Sequence, residues 1–320
     1  MPAPSEPEPP PACAGCSHAM AEGRPMDSLG DAEGAHVPPA EATGGPVVDA
    51  HVHLFPPRVF DAIWRWFEAH AWPVRYRLYA EQTIEFLASR GVSQIVGLHY
   101  AHVPGMADSL NAFAAELGQR HRDVVVPLGT VLPGEPGAGD IARRALGPLG
   151  LHGLKLHCHV QRFRADDPRL DEIYAACVDA GKPLIVHAGR EPASPAYGVD
   201  ARAFCDVRSV EHVLERWPKL TLVVPHLGLG ECEAYLPLLA KHENLWLDTT
   251  MACAGFFPPG IEPPLASLAP YASRLLYGTD FPQLPYAWDR ELRRLASLPL
   301  DVPTRQALFS ANTRRVYQCG

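Results

Sequence analysis

The stretch Asp49-Ala50-His51-Val52-His53 decides the fold and the chemistry predicted for this chain. It follows the apolar residues Pro46-Val47-Val48 and therefore predicts the end of a short β-strand. Residues two apart in a strand point to the same face, so His51 and His53 should project together. Two neighbouring imidazoles on a stiff element suit a divalent metal ion, because neutral imidazole is a good ligand for zinc and related metals.

The composition argues against several classes of function. The chain has 320 residues, of which 47% are hydrophobic and 20% charged, with a formal net charge of −8 and a pI near 6.0. An acidic chain without a Lys/Arg block is not expected to bind nucleic acid, and no apolar run reaches the length of a membrane span. The eight cysteines are too dispersed for a disulfide framework, and no secretory signal is visible. We therefore predict a cytoplasmic protein that binds neither nucleic acid nor membranes.

Residues 1–45 differ in composition from the rest of the chain. They are rich in Pro, Ala, Gly and Glu and lack apolar periodicity, which predicts a disordered extension before a domain at 46–320. Cys13, Cys16 and His18 lie in this segment and could form half of a zinc site. No second Cys/His pair follows at a suitable spacing, so we favour two cysteines without a metal role.

After residue 45, strand and helix patterns alternate regularly. The strand candidates are short runs rich in Val, Ile and Leu, typical of parallel strands covered on both faces. They are 47–54, 94–99, 124–131, 153–159, 183–188, 221–227, 244–249 and 274–281, with helical patterns between them that include a short one at 265–271. Eight such units in about 275 residues predict a single-domain α/β protein with a (β/α)8 TIM barrel. A doubly wound open sheet is the alternative, but no Gly-rich phosphate loop follows the first strand.

Polar side chains recur where the predicted strands end. His187 ends the fifth strand, His226 the sixth and Asp280 the eighth. The carboxyl ends of barrel strands form the catalytic rim, so these side chains should meet the histidines of the first strand. Three histidines and one aspartate are a suitable ligand set for zinc or a related ion, with one coordination position left for water.

These motifs resemble the amidohydrolase superfamily, in particular the amidohydrolase-2 branch that includes aminocarboxymuconate-semialdehyde decarboxylase. The resemblance covers residue 46 to the C-terminus. It rests on Asp49-Ala50-His51-Val52-His53, Gly153-Leu154-Lys155-Leu156-His157, Val186-His187-Ala188-Gly189, Pro225-His226-Leu227-Gly228, Gly278-Thr279-Asp280-Phe281-Pro282 and Asn312-Thr313-Arg314-Arg315.

The resemblance also implies roles for individual residues. It makes His51, His53, His187 and Asp280 the ligands of one divalent metal ion, for which we expect Zn²⁺, although Mn²⁺ or another divalent ion would also fit. It places His226 beside the metal, acting on substrate or water. His226 and Asp280 are therefore the predicted catalytic residues.

The fourth strand leaves the number of metal ions open. Lys155, His157 and His159 share one parity and should face inward together. In binuclear members of the superfamily a lysine on this strand is carboxylated and bridges two metals, whereas the branch resembled here generally holds one. We favour one metal, with Lys155 and His157 as substrate contacts and His159 only lining the loop.

Residues that follow the fifth strand complete the predicted rim. Arg190 could hold a substrate carboxylate, because its planar fork matches that group, or it could pair with Glu191 at the surface. Tyr197, in the loop that follows, is a further candidate for substrate binding. The aromatic residues after the first strand could wall a pocket, but we favour packing on the barrel; they are Trp64, Trp66, Phe67 and Trp72.

These observations predict a metal-dependent hydrolase that uses a metal-activated water on a small-molecule amide, ester or lactone, often one that bears a carboxylate. The same residues could serve a non-oxidative decarboxylase of an aromatic or enoic acid. A catalytically silent metal-binding barrel is a second alternative. The expected partner is a small molecule, and a homodimer is left open.

Overall fold

The computed structural model describes residues 40–190, 194–258 and 260–320. Cys13, Cys16, His18 and Glu191 lie outside the described residues. Residues 40–43, at the end of the predicted extension, form a short helix, α1 (Ala40–Thr43), and Thr43 is buried. Its hydroxyl donates to the Gly45 carbonyl.

Eight parallel strands form a closed barrel. They are β1 (Val47–His53), β2 (Val92–Leu98), β3 (Val125–Pro127), β4 (Leu154–His157), β5 (Leu184–His187), β6 (Leu222–Val224), β7 (Leu245–Asp248) and β8 (Leu275–Leu276). Strands β1–β3 form one sheet and β4–β8 another, each in sequence order. Backbone hydrogen bonds join the two sheets at both seams, the places where their edge strands meet. Lys155 N–H donates to Gly129 C=O, and His53 N–H donates to Phe281 C=O. The predicted (β/α)8 barrel is confirmed.

The strands end earlier than predicted. Pro127 and Pro225 lack the N–H that would continue the hydrogen-bonded ladder, so β3 and β6 stop at or just before them. The predicted helix at 265–271 is a 3₁₀ helix over Leu265–Arg274, which contains Pro270. Because the strands are shorter, the residues that were predicted at their ends lie in the loops that carry the polar side chains.

Helices surround the barrel and cover its apolar outer face. They are α2 (Pro57–His70), α3 (Ala80–Ser89), α4 (Ala107–Arg120), α5 (Ala138–Leu146), α6 (Cys158–Gln161), α7 (Asp171–Ala180), α8 (Ala201–Phe204), α9 (Val207–Arg216), α10 (Cys232–Lys241), α11 (Arg290–Ala296), α12 (Val302–Gln306) and α13 (Asn312–Tyr317). A smaller cluster, which includes Val96, Ile185 and Val223, packs together as a second core made mostly of strand residues. In the described part of the chain, no helix combines the length and apolar character that a bilayer crossing requires.

The turn after β6 depends on Gly228. Its φ is +64°, and a Cβ atom there would overlap the ring of Tyr235. We expect Gly228→Ala to lower the free energy of unfolding by about 2–5 kcal/mol, from a left-handed backbone and from overpacking. Gly150→Ala is the matched control, because Gly150 has the same φ with open space around it. Denaturant unfolding measures the free energy of unfolding of both variants. Equal losses in the two would contradict a steric clash with Tyr235.

Candidate functional site

The His51-Val52-His53 motif of β1 meets the residues that follow β8. Asp280 Oδ1 lies 3.2 Å from His51 Nε2 and 3.0 Å from His53 Nε2. All three residues are buried, and a register shift in the pairing of β1 with β2 falls between Asp49 and Val52. Irregular pairing of this kind is common beside active sites, where it re-aims side chains. The predicted neighbours thus converge on one carboxylate oxygen.

Asp248, at the end of β7, fixes the orientation of His51. Its Oδ2 lies 2.9 Å from His51 Nδ1, and its Oδ1 accepts a 3.0 Å hydrogen bond from the backbone N–H of His226. Burial and the charge of Lys155 oppose protonation of His51, but Asp248 and Asp280 outweigh them and raise its pKa. Because Nδ1–H donates to Asp248, the neutral form of His51 carries its lone pair on Nε2, the nitrogen beside Asp280.

A second chain of hydrogen bonds orients His226 and His187. The Thr250 carbonyl can only accept, so His226 Nδ1, 2.9 Å away, must donate to it. Burial lowers the pKa of His226 to about 4, so the ring is neutral and its Nε2 accepts from His187 Nδ1 at 3.1 Å. This leaves the lone pair of His187 Nε2 without a hydrogen-bond partner among the described residues.

The site fits a divalent metal ion. His51 Nε2 lies 3.2 Å from a carboxylate oxygen, and two such electron-rich atoms are held together by a proton or a metal ion. His51, His226 and Asp280 offer ligand atoms within 4.8 Å of one another. Burial alone would raise the pKa of Asp280, but the neighbouring His51 and His53 hold it well below its usual value. A charged carboxylate beside neutral imidazoles is the donor set that such an ion requires.

We expect Asp248→Asn to weaken metal binding about 10–100-fold, the usual effect of losing the partner that orients a ligating histidine. The amide removes the charge opposite His51 Nδ1 while keeping the shape of the side chain. Competition with a chelator measures the affinity. Unchanged affinity in a folded variant would mean that Asp248 does not orient His51.

The side chains enclose a cavity with aromatic walls. It holds about 30 Å³ of space for the centre of a water-sized sphere and is lined by Phe67, Trp72, Tyr100, Tyr197 and Phe257 around the polar groups. Packing was the preferred interpretation of the aromatic residues after β1, and it holds for Trp64, which stacks on Phe60. The packing interpretation is incomplete for Phe67 and Trp72, because both side chains also line the cavity.

Three of the four predicted substrate contacts line this cavity. They are Lys155, His157 and Tyr197. The Lys155 ammonium group is buried without a hydrogen-bond partner among the described residues, and burial lowers its pKa to about 8. A buried cationic group that faces the cavity is suited to an anionic substrate group.

Two predictions about neighbouring residues need correction. Arg190 does not line the cavity; its guanidinium donates to Glu231 Oε1 at 2.6 Å, because the backbone after β5 turns towards the loop after β6. His159 does not share the strand parity of Lys155 and His157, because β4 ends at His157 and His159 lies on α6. Its Nε2 instead contacts Cys205 Sγ at 3.0 Å.

The sequence analysis missed Asp248, Tyr100 and Gln283. Asp248 ends the apolar run Leu245-Trp246-Leu247, which is the pattern that identified the other polar strand ends. Tyr100 lies two residues after the end of β2 and lines the cavity, whereas Gln283 lines it from a loop and has no sequence signal. A search for polar side chains at and just after the ends of β2 and β7 would have found Tyr100 and Asp248.

Comparison with known proteins supplies a family and a set of folds. A family model described as amidohydrolase matches residues 48–319. An uncharacterised TIM-barrel protein of Bordetella bronchiseptica is 22% identical, covering 86% of this chain and 99% of that one, with a TM-score of 0.65. No curated protein sequence matches the chain.

Two decarboxylases have the same fold. The 5-carboxyvanillate decarboxylase of Sphingomonas paucimobilis is 16% identical, covering 86% of this chain and 99% of that one, with a TM-score of 0.61. The enzyme of that name from Novosphingobium aromaticivorans was solved with manganese and 4-hydroxy-3-methoxy-5-nitrobenzoic acid. It is 17% identical, covering 90% of this chain and 100% of that one, with a TM-score of 0.60.

Proposed function

Because the chain belongs to the amidohydrolase family, we propose that this enzyme is a metal-dependent decarboxylase of an aromatic or enoic carboxylic acid. The observation that carries the proposal is the enclosed cavity, which sets aromatic walls around buried imidazoles and a buried lysine. A flat conjugated acid matches such walls, and the two decarboxylases of the same fold act on acids of this kind by their names.

We propose His51, His53, His187 and Asp280 as the ligands of one divalent metal ion. Imidazole and carboxylate donors suit Zn²⁺, which the sequence favours, and also Mn²⁺, the ion of the Novosphingobium enzyme. The bound ion would supply positive charge that holds and polarises an anionic substrate. His226 lies as close to His51 and Asp280 as a metal ligand would. We propose that it acts on the substrate and does not bind the metal, and metal analysis of a variant tests this.

The chain's own residues orient the acid. Lys155 would bind an anionic or hydroxyl oxygen of the substrate, since its ammonium group has no described hydrogen-bond partner. Tyr100 and Phe257 would hold the conjugated plane and exclude water. A carboxylate that loses its hydration in such a cavity is destabilised relative to neutral carbon dioxide, which favours its departure.

The reaction requires one proton. The bond between the carboxyl carbon and its neighbour breaks, carbon dioxide leaves, and the electron pair stays on the remaining carbon, which takes up the proton. His226 is the proposed carrier of this proton. Thr250 accepts from its Nδ1–H, so the neutral ring would first take up a proton from water at Nε2, beside the cavity-lining His187, and then pass that proton to the carbon. A positioned acid of this kind contributes about 10²–10⁴-fold to a rate.

A panel of hydroxybenzoic and enoic acids tests the proposal. The metal-loaded enzyme should release carbon dioxide from at least one of them and, in D₂O, place deuterium on the carbon that carried the carboxyl group. Hydrolysis of amides, esters or lactones without carbon dioxide release would overturn decarboxylation and support the hydrolase predicted first. That second candidate is favoured by Asp280, whose carboxylate could accept a proton from water. Inactivity on both panels would support the silent barrel.

A further inference from the structure

An open groove of about 520 Å³ adjoins the cavity. One wall is the face of α2 that carries Val59, Ile63 and Trp66, and the facing wall includes Val160 and Tyr197. The rings of Trp66 and Tyr197 meet across it with centroids 4.6 Å apart.

Helix α2 has two apolar faces. Phe60, Trp64 and Phe67 form the buried face, with the spacing of residues that pack on a core. Val59, Ile63 and Trp66 have helical spacing too, but they are only half-buried and line the groove. These side chains pack against the core in part, and the apolar surface that they leave at the groove is available for a ligand.

The groove and the cavity share walls. Among the described residues, Phe67, Tyr100 and Tyr197 alone line both. These three aromatic side chains lie between the two spaces, so an elongated molecule that occupies both has to pass beside their rings. This adjacency favours a ligand that also reaches the reacting groups over a separate partner.

The charged side chains among the described residues of the groove lining have one sign. Its described lining residues include Arg58 and Arg162 but no Asp or Glu. Both arginines are exposed, and neither forms an ion pair with a carboxylate in the described part of the chain. Arg162 donates instead to the Tyr197 carbonyl at 3.4 Å, which holds its guanidinium at the mouth of the groove.

We propose that this groove binds the distal end of the substrate, and that this end has an apolar segment that terminates in an anionic group. The inference rests on the proposed function, since the proximal acid occupies the cavity. The apolar segment lies along Ile63 and Trp66, and the terminal anion pairs with Arg58 and Arg162 through the bidentate geometry that guanidinium offers. The substrate class is therefore a conjugated acid with a second, remote acidic group.

Matched ligands test this inference by calorimetry on the metal-loaded full chain. The probes are benzoates with a 4-alkyl chain of increasing length, each compared with the benzoate whose chain of equal length ends in a carboxylate. At one chain length we expect the dicarboxylate to bind at least about tenfold more tightly than the alkyl benzoate of the same length. This is the effect of a charge-assisted ion pair. Arg58→Gln and Arg162→Gln should remove that preference. Arg65→Gln, an exposed arginine on another face of α2, should keep it.

The outcomes separate the inference from the proposed function. Equal affinities within every pair, or a preference that both variants retain, would overturn the distal site even if the enzyme releases carbon dioxide. A dicarboxylate preference that the variants remove would support the site even if the reaction is hydrolysis. A change from dimer to monomer in Trp66→Ala, without an effect on the pairs, would assign the groove to a second copy of the chain and overturn the inference.

Discussion

The His51→Ala and His187→Ala variants should purify with well below one equivalent of bound metal, whereas the wild-type protein should hold about one. The lone pairs of His51 Nε2 and His187 Nε2 are unused by hydrogen-bond partners in the described chain, which is the state of a nitrogen reserved for a cation. Each change removes one donor from the site. Metal analysis by mass spectrometry measures the loss, and decarboxylation should fall with it.

His70→Ala provides the control, because His70 is exposed at the end of α2. It should retain metal and activity. Circular dichroism must show that the two site variants remain folded, since both positions are buried. Full metal occupancy in both folded variants would refute the proposed ligand set.

The second large effect separates His226 from the ligands. His226→Asn should retain about full metal while losing on the order of a hundredfold or more in turnover, the usual scale for a positioned acid–base group. Asparagine suits this position because the φ of His226 is +58°, a left-handed conformation that asparagine tolerates well. Steady-state kinetics and metal analysis of the same preparation give both values.

The pairing of the two measurements makes the test decisive. Loss of metal together with activity would make His226 a ligand, in line with its closeness to His51 and Asp280. Retention of both would make it structural. The proton would then have to come from another group of the cavity, with Asp280 tested first and His157 second.

Much of the architecture could be predicted because it depends on local patterns. Short apolar runs identified all eight strands, and the motif of β1 led to the family that the match over residues 48–319 confirms. His51 and His53 were expected to project together because strand parity is a local property, and they share Asp280.

The remaining features depend on contacts between distant segments. The partner of Arg190 is Glu231, 41 positions away, and no local pattern distinguishes that ion pair from a carboxylate clamp. The same holds for Phe67 and Trp72, whose helical spacing indicates packing but not which surface they cover. His159 was misplaced because the strand ended two residues early, and one change of element alters the direction of every later side chain.

The seam between β8 and β1 has a consequence for handling the protein. His51 and His53 lie on one side of this seam and Asp280 on the other, so an ion bound to them would cross-link the first and last strands. Ligation then stabilises barrel closure, because an ion that binds only the folded state shifts the equilibrium towards it. A chelating buffer would therefore lower the stability of the barrel as well as the activity. The protein should be kept saturated with metal from lysis onward.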